Sequence, residues 1–294
     1  MSHIPVLTKE VLEYLDPEPN ENFVDCTVGQ GGHTKLILEK NAPEGKVLGI
    51  DLDPQQIENC RKNINSERLV LENDSYSNLK NIIERTSFGK VNGILIDLGM
   101  SSWQIDESEK GFSFLKDQPL DMRYQNKKEG YQTAAEIVNS WKEEDLKRIF
   151  EDYGEERFSR QIVKKIAEER HRKPIETTLQ LVEIIKKAVP AKFQNGKIHC
   201  ATRVFQALRI AANDELGNLE KVLPQIVEVL QTNGRCTIIS FHSLEDRIVK
   251  NFLKQEEENN KIKILTKKPI VASDDETRVN PRSRSAKLRA LSKI

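Results

Sequence analysis

No two of the four cysteines, Cys26, Cys60, Cys200 and Cys236, share a C-x-x-C spacing. The scatter speaks against a zinc site or a disulfide framework and for free thiols in a reducing compartment, so no metal site is expected. No apolar run reaches the ~20 residues of a membrane-crossing helix, and no membrane contact is expected. The first ten residues, MSHIPVLTKE, lack the basic stretch and apolar core of a secretory signal, which leaves a cytoplasmic location as the expectation. No internal repeat is visible. Net charge is missing too: 46 Lys and Arg balance 46 Asp and Glu over 294 residues. The balance is uneven along the chain. Residues 1–60 carry four Lys and no Arg against eleven acids, and residues 277–294, TRVNPRSRSAKLRALSKI, carry six basic residues and no acid. A basic end on a neutral chain suits a local polyanion, or is a solvated tail.

What is present is a core-forming pattern. Apolar residues make up 37% and charged residues 31%, enough for a buried core under a strongly solvated surface. Short apolar runs at Phe23-Val24, Val47-Leu48-Gly49-Ile50, Leu69-Val70-Leu71 and Ile94-Leu95-Ile96 alternate with helix-like stretches at 34–41, 54–64 and 77–86. That order predicts a parallel sheet wrapped by helices. Asp53-Pro54 predicts an N-cap followed by a first-turn proline. Residues 133–231 show almost only helical periodicity, with Pro224 either opening a helix or kinking one. A buried strand returns at residues 236–241, a helix follows from Leu244 to Phe252, and weaker strands are expected at 261–265 and 286–290. A helical insertion therefore interrupts an α/β domain between its fourth and fifth strands. The boundaries are 1–107 and 215–294 for the α/β domain and 108–214 for the insertion.

The stretch Asp25-Cys26-Thr27-Val28-Gly29-Gln30-Gly31-Gly32-His33-Thr34 holds three glycines within four residues, between a strand and a helix. Glycine serves where the backbone turns tightly or a ligand comes close. A phosphate-binding P-loop, G-x-x-x-x-G-K-S/T, is absent. The dinucleotide pattern G-x-G-x-x-G is met at Gly29 and Gly31, but its third position is Thr34. A nicotinamide-dependent dehydrogenase is thereby weakened as an alternative. The general geometry remains that of a ligand at a strand's carboxyl end beside a helix amino end. Asp51 ends the second strand, where a carboxylate can accept hydrogen bonds from both hydroxyls of a ribose. Tyr76, after the third strand, either stacks on an adenine ring or is a core aromatic. Asp97 ends the fourth strand at the rim of the same crevice.

These residues carry a resemblance to the bacterial RsmH (MraW) family. It runs nearly end to end, through HIPVLTKEVL (3–12), DCTVGQGGHT (25–34), GIDLDP (49–54), ILIDLGMSSWQID (94–106), GFSFLKDQPLDMR (111–123), YGEERFSRQI (153–162), ATRVFQALRIAANDEL (201–216), CTIISFHSLEDRIVK (236–250) and NPRSRSAKLR (280–289). The resemblance implies a class I S-adenosylmethionine-dependent methyltransferase, Rossmann-like, with a mainly parallel seven-stranded sheet and an inserted all-helical domain. It implies methylation of the N4 amine of a cytosine in the decoding region of small-subunit (16S) ribosomal RNA. By the same resemblance Gly31, Gly32, His33, Asp51, Tyr76, Asp97 and Gln104 are cofactor contacts. A non-catalytic RNA-binding assembly factor is the alternative from another class; the intact glycine turn with Asp51 and Asp97 argues against it. A homodimer is left open.

Cytosine N4 is a poor nucleophile, because its lone pair is delocalised into the ring. The enzyme's task is then placement plus an acceptor that polarises the amine. Asp97 is the candidate catalytic acceptor, able to take the released proton. The segment Asp97-Leu98-Gly99-Met100 departs from the (D/N/S)-P-P-(Y/F) pattern of many amino-methyltransferases, and the other reading of Asp97 is a contact to the cofactor's amino acid moiety alone. Methylation at cytosine C5 needs a cysteine nucleophile, usually after proline, and no cysteine here follows a proline. His242-Ser243 with Asp246 is read as a helix start capped by Ser243 rather than a hydrolase triad, with His242 a second, weaker candidate near the target nucleotide. Trp103 either stacks on an extruded base or packs against the insertion. Lys164, Lys165, Arg170, Arg172 and Lys173, with Arg278, Arg282, Arg284, Lys287 and Arg289, either straddle an RNA backbone or form solvated faces.

Overall fold

The computed structural model describes residues 4–125, 130–194, 196 and 198–294. His3 of the motif HIPVLTKEVL lies outside the described residues. The chain forms two compact units, residues 1–99 with 216–294 and residues 100–215, where composition and periodicity put the joins at 107/108 and 214/215. The strands are β1 (Phe23–Asp25), β2 (Val47–Asp51), β3 (Leu69–Asn73), β4 (Val91–Asp97), β5 (Leu230–Ser240), β6 (Ile262–Ile264), β7 (Ile270–Val271) and β8 (Lys287–Lys293). The helices of the amino-terminal stretch are α1 (Thr8–Leu15), α2 (Gly32–Lys40), α3 (Pro54–Asn63) and α4 (Leu79–Arg85). Those of the second unit are α5 (Ser102–Asp106), α6 (Ala134–Ser140), α7 (Glu143–Asp152), α8 (Ser159–Arg170), α9 (Thr178–Ala188) and α10 (Thr202–Asn213). The chain closes with α11 (Glu215–Val229), α12 (Ser243–Glu258) and α13 (Asp274–Val279).

The strands of the first unit form one sheet in the order β3-β2-β1-β4-β5-β8-β6, with β7 also paired to β8. Neighbours from β3 to β5 run parallel, and β8 runs antiparallel to β5, β6 and β7. This is the class I methyltransferase arrangement, with eight strands rather than the expected seven. The extra strand is the two-residue β7, too short to leave a period in the sequence. Strand β5 begins six residues before the buried run at Cys236. Asn233-Gly234 reads as a turn but lies within the strand, where the pairing with β4 shifts register between Val91 and Gly93.

The central strands carry continuous apolar runs because both faces are covered there. Val24, Ile94, Ile96 and Ile238 face Leu79 and Ile82 of α4 and Leu219 and Leu223 of α11. Their neighbours Phe23, Leu95 and Ile239 face Leu7, Val11 and Leu15 around α1 and Ile37 of α2. Asp53 caps α3 as expected, its Oδ1 accepting from Gln55 N at 3.0 Å with Pro54 in the first turn. The Leu38 carbonyl left open at the end of α2 is met by Arg68, which donates to it at 2.7 Å and also to Gly45 O, in the loop that follows, at 2.6 Å. Pro224 falls inside α11, not at a first turn.

The second unit is helical, around Leu146, Phe150, Ile162, Ile166, Leu181, Ile185, Val204 and Leu208. Capping boxes at Thr133/Glu136 and Thr177/Gln180 start α6 and α9. Much of the basic stretch on α8 has structural work: Arg170 donates to Val138 O and Trp141 O at the end of α6, and Lys165 pairs with Glu168 at 2.7 Å.

Gly93 sits opposite Phe23 in the β1–β4 pairing, and a Cβ there would run into the buried Phe23 ring. Gly93→Ala should cost about 1–3 kcal/mol through overpacking. A lower urea midpoint at unchanged m-value is the expected result; an unchanged midpoint would mean that the ring moves aside freely.

Candidate active site at the reversal of strand order

Strand order reverses between β1 and β4, and the carboxyl ends of strands on either side of such a reversal frame a ligand crevice. Five chain segments reach it in the first unit. The first is the glycine turn after β1. Gly31 has φ of +87°, and its N–H closes the turn on Val28 O at 2.8 Å. A Cβ on Gly31 would lie 2.6 Å from Ile64 Cδ1 and 2.9 Å from Cys60 Sγ. Both conformation and space therefore demand glycine. Helix α2 starts at Gly32 with no side-chain cap bond, which leaves its amino end for an acidic ligand group.

The buried carboxylate of Asp25 stabilises this turn. Its Oδ2 accepts from Thr34 Oγ1 at 2.7 Å and its Oδ1 from Thr27 N at 3.2 Å. Burial raises its pKa above the ordinary carboxylate range, against the opposing effect of the Thr34 bond. Thr27 in turn accepts at Oγ1 from Asp97 N, at 2.7 Å. Asp25, Thr27 and Thr34 were not singled out from sequence. The signal was an Asx turn, Asp followed two residues on by the residue whose N–H it accepts. Thr34 also explains why the dinucleotide pattern is broken: its fully buried side chain and its bond to Asp25 stand where that pattern has a third glycine.

Asp51, at the end of β2, accepts from Gly29 N at Oδ2 and from Asp53 N at Oδ1, both at 2.9 Å. Burial pushes its pKa up to about 7 despite these two donors. Its oxygens keep lone pairs for a ribose diol. Tyr76 opens a one-turn 3-10 helix after β3 and is half-buried against the core that includes Leu79. Asp97, at the end of β4, places Oδ2 3.6 Å from His33 Nε2, while its Oδ1 is buried without a hydrogen-bond partner. The residues present thus fit an adenosyl cofactor: a glycine-rich turn, a carboxylate at the end of β2 that could take a ribose diol, and an Asp97 oxygen without a hydrogen-bond partner among the described residues. Asp51 and the Gly31-Gly32-His33 turn would hold it.

After β5 the structure corrects one expectation. The cap of α12 is His242, not Ser243, because Glu245 lies three residues after His242 and closes the box on it. His242 Nδ1 accepts from Glu245 N at 3.4 Å, and Glu245 Oε2 accepts from Phe241 N at 2.8 Å and His242 N at 3.3 Å. Asp246 has a different partner: Arg289 Nε donates to it at 2.7 Å and Lys287 Nζ lies 3.7 Å away. Burial pushes the Asp246 carboxyl up, but Arg289 and Lys287 bring it below the ordinary range. No triad forms. Arg282 and Arg284 are exposed on the turn Pro281–Ser285, whereas Lys287 and the buried Arg289 belong to β8. Gln104 and Trp103 lie on α5 of the second unit, where Gln104 Oε1 accepts from Ser101 N at 3.0 Å in a capping box.

All four cysteines are free and buried. Burial pushes the Cys26 and Cys236 thiols far up and that of Cys60 up to about 12. A thiolate nucleophile is disfavoured at each. Among the described residues no helix is long and apolar enough to cross a membrane.

A model of the MraW methylase family matches residues 1–294. Among curated relatives is the ribosomal RNA small subunit methyltransferase H of Clostridium botulinum (strain Loch Maree / Type A3), 46% identical, covering 99% of this chain and 99% of the relative. The protein of the same name from Geobacter sulfurreducens is 45% identical, covering 100% and 99%. That from Deinococcus deserti is 47% identical, covering 99% and 93%. Neither the dehydrogenase nor the non-catalytic alternative is favoured by these matches.

The raised pKa of Asp51 has a consequence for binding. Below pH 7 its carboxyl is largely protonated and has lost acceptor strength; above pH 7 it is ionised. Affinity for S-adenosylhomocysteine should therefore rise about tenfold from pH 6 to pH 8, the change in ionised fraction for a group titrating at 7. Asp51→Asn should bind weakly and lose that increment. Calorimetric titration at both pH values checks this; equal increments in the two proteins would remove Asp51 from the ribose site.

Proposed function

Because the chain belongs to the MraW methylase family, we propose that it methylates the exocyclic N4 amine of a cytosine in the decoding region of 16S ribosomal RNA, within the small ribosomal subunit. Support for that substrate comes from the name its relatives carry and from the motifs shared with the family. The observation that carries the chemistry is the buried, partnerless Oδ1 of Asp97 at the end of β4. S-adenosylmethionine, when bound, supplies a methyl group already activated on a sulfonium. What the chain adds is placement and an acceptor. Asp51 and the glycine turn orient the adenosyl moiety. The backbone of Asp97 is held by Thr27 Oγ1, so its carboxylate stands at a defined place on the crevice rim. From there the carboxylate accepts a hydrogen bond from the amine, raises its electron density and receives its proton.

Tyr76 flanks the adenine, and Gln104 completes the cofactor contacts assigned by family resemblance. Trp103 is assigned to the extruded base, and Arg282, Arg284 and Lys287 to the RNA backbone. His242 keeps a subordinate place, since its Nδ1 is engaged in capping α12. The cytoplasm, where ribosomes are assembled, is the proposed location.

Two measurements test this reading. Asp97→Asn preserves shape and removes the charged acceptor, so single-turnover methylation of unmodified small subunits at saturating cofactor should slow by about a hundred- to ten-thousandfold. S-adenosylhomocysteine affinity should change far less. Collapsed affinity with a near-normal saturated rate would make Asp97 a cofactor contact only. Replacing Arg282 and Arg284 with Gln should lower the log–log salt slope of RNA binding by about one to two. An unchanged slope would leave that turn a purely structural lead into β8.

A further inference from the structure

His33 is an anomaly of the first unit. The residue is 6% exposed, yet neither ring nitrogen has a hydrogen-bond partner among the described residues. Burying polar atoms unpaired costs stability, and native folds rarely tolerate it without a use. Its place near the start of α2 means that the backbone N–H, not the ring, belongs to the helix end offered to the cofactor. The ring points elsewhere. Its Nε2 lies 3.6 Å from Asp97 Oδ2, longer than a hydrogen bond and within ion-pair range.

Two carboxylates act on this imidazole, Asp25 from the end of β1 and Asp97 from the end of β4. Both Asp25 oxygens are engaged, by Thr34 Oγ1 and Thr27 N. Asp97 is different: among the described residues its side chain accepts no hydrogen bond at the buried Oδ1, and its Oδ2 lies within ion-pair range of His33. Hydrogen bonds of catalytic groups are often long without ligand and tighten in the complex. A contraction of less than 1 Å would turn this contact into an N–H···O bond.

We propose that His33 is the positioning residue for Asp97, its Nε2–H gripping Oδ2 and so setting the orientation of the carboxylate for the acceptor amine. The inference rests on the reading of Asp97 as proton acceptor. His33 orients the acceptor and takes no part in the transfer. The ring's role is separate from the cofactor contact assigned to this position, which the backbone can make with any side chain.

The test compares His33→Ala and His33→Gln with Asp97→Asn and with the double variant His33→Ala/Asp97→Asn. Single-turnover methylation at saturating S-adenosylmethionine should slow about a hundredfold in His33→Ala, the usual cost of misplacing a reacting group. His33→Gln keeps an N–H at similar reach and should recover most of that loss. The double variant should be no slower than Asp97→Asn alone, because the histidine acts through the carboxylate. S-adenosylhomocysteine affinity should stay within about threefold in His33→Ala, as for a group that does not grip the cofactor. In ligand-free protein, imidazole ¹⁵N spectra of Asp97→Asn should show a shifted His33 Nε2 signal. A wild-type rate in His33→Ala, a fall in affinity that matches the fall in rate, or an unmoved Nε2 signal each overturns the proposal. Should His33→Ala fail to fold, His33→Gln and the spectra decide it. Slow turnover in Asp97→Asn with normal turnover in His33→Ala sinks the inference alone; normal turnover in Asp97→Asn sinks the base reading and this inference with it.

Discussion

The Asp25 carboxylate holds together the end of β1, the glycine turn and the start of α2. With Thr34 on one oxygen and Thr27 N on the other, it sets where the turn leaves the strand. Thr27, so placed, presents its hydroxyl to the N–H of Asp97 on the neighbouring strand. The turn then brings Gly29 N–H to Asp51 on β2. One buried acid thus sets the geometry of three strand ends, and the crevice between them follows. The acid is out of water, and its raised pKa records that cost. The cost is bearable because it sits in a sheet whose two faces bury Phe23, Leu95, Ile94 and Ile96 almost completely.

Stability and function pull against each other along this edge. Asp25, Asp51 and Asp97 bring three carboxylates to adjacent strand ends, and mutual repulsion adds to burial in raising Asp25 and Asp51. A fold selected for stability alone would place fewer acids here. For Asp51, whose folded pKa lies above its ordinary value, the sign is definite. Its contribution to folding is least unfavourable below the unfolded value and turns against the fold as pH rises toward 7. Binding a ligand that donates hydrogen bonds to the ionised form offsets that penalty. If Asp51 holds the cofactor's ribose as proposed, ligand-free strain and cofactor affinity are two faces of one interaction.

What was legible in the sequence follows from locality. Strands β1 to β4 were visible because each leaves a short continuous apolar run, in β1, β2 and β4 because both faces are buried. Asp53-Pro54 foretold its cap because a cap is decided within four residues. Helix α13, Asp274–Val279, was not visible, since it is short and almost wholly polar. The start of β5 was hidden by Asn233-Gly234, a turn signal that the sheet absorbs as a change of register. Ser243 looked like the cap of α12 because serine is a common cap and histidine is not; spacing to Glu245 decides otherwise. In the site, Asp51 and Asp97 were readable as strand ends. The isolation of the His33 ring was not, because it depends on β1 lying beside β4, a pairing across some seventy residues that no local pattern encodes.

The same accounting narrows the choice of acceptor. Asp25 has both oxygens engaged by Thr34 and Thr27. Asp51 accepts a backbone N–H at each oxygen. Glu245 serves Phe241 N and His242 N, and His242 Nδ1 serves Glu245 N in return. Asp246 is held by Arg289 on the side of β8. The thiols that might instead have attacked carbon are buried with their ionisation suppressed. Of the acids named at this edge, Asp97 alone keeps a buried oxygen without a partner. On the proposed reading, a proton leaving the amine in this crevice passes to Asp97, and nitrogen methylation is the chemistry such an arrangement would serve.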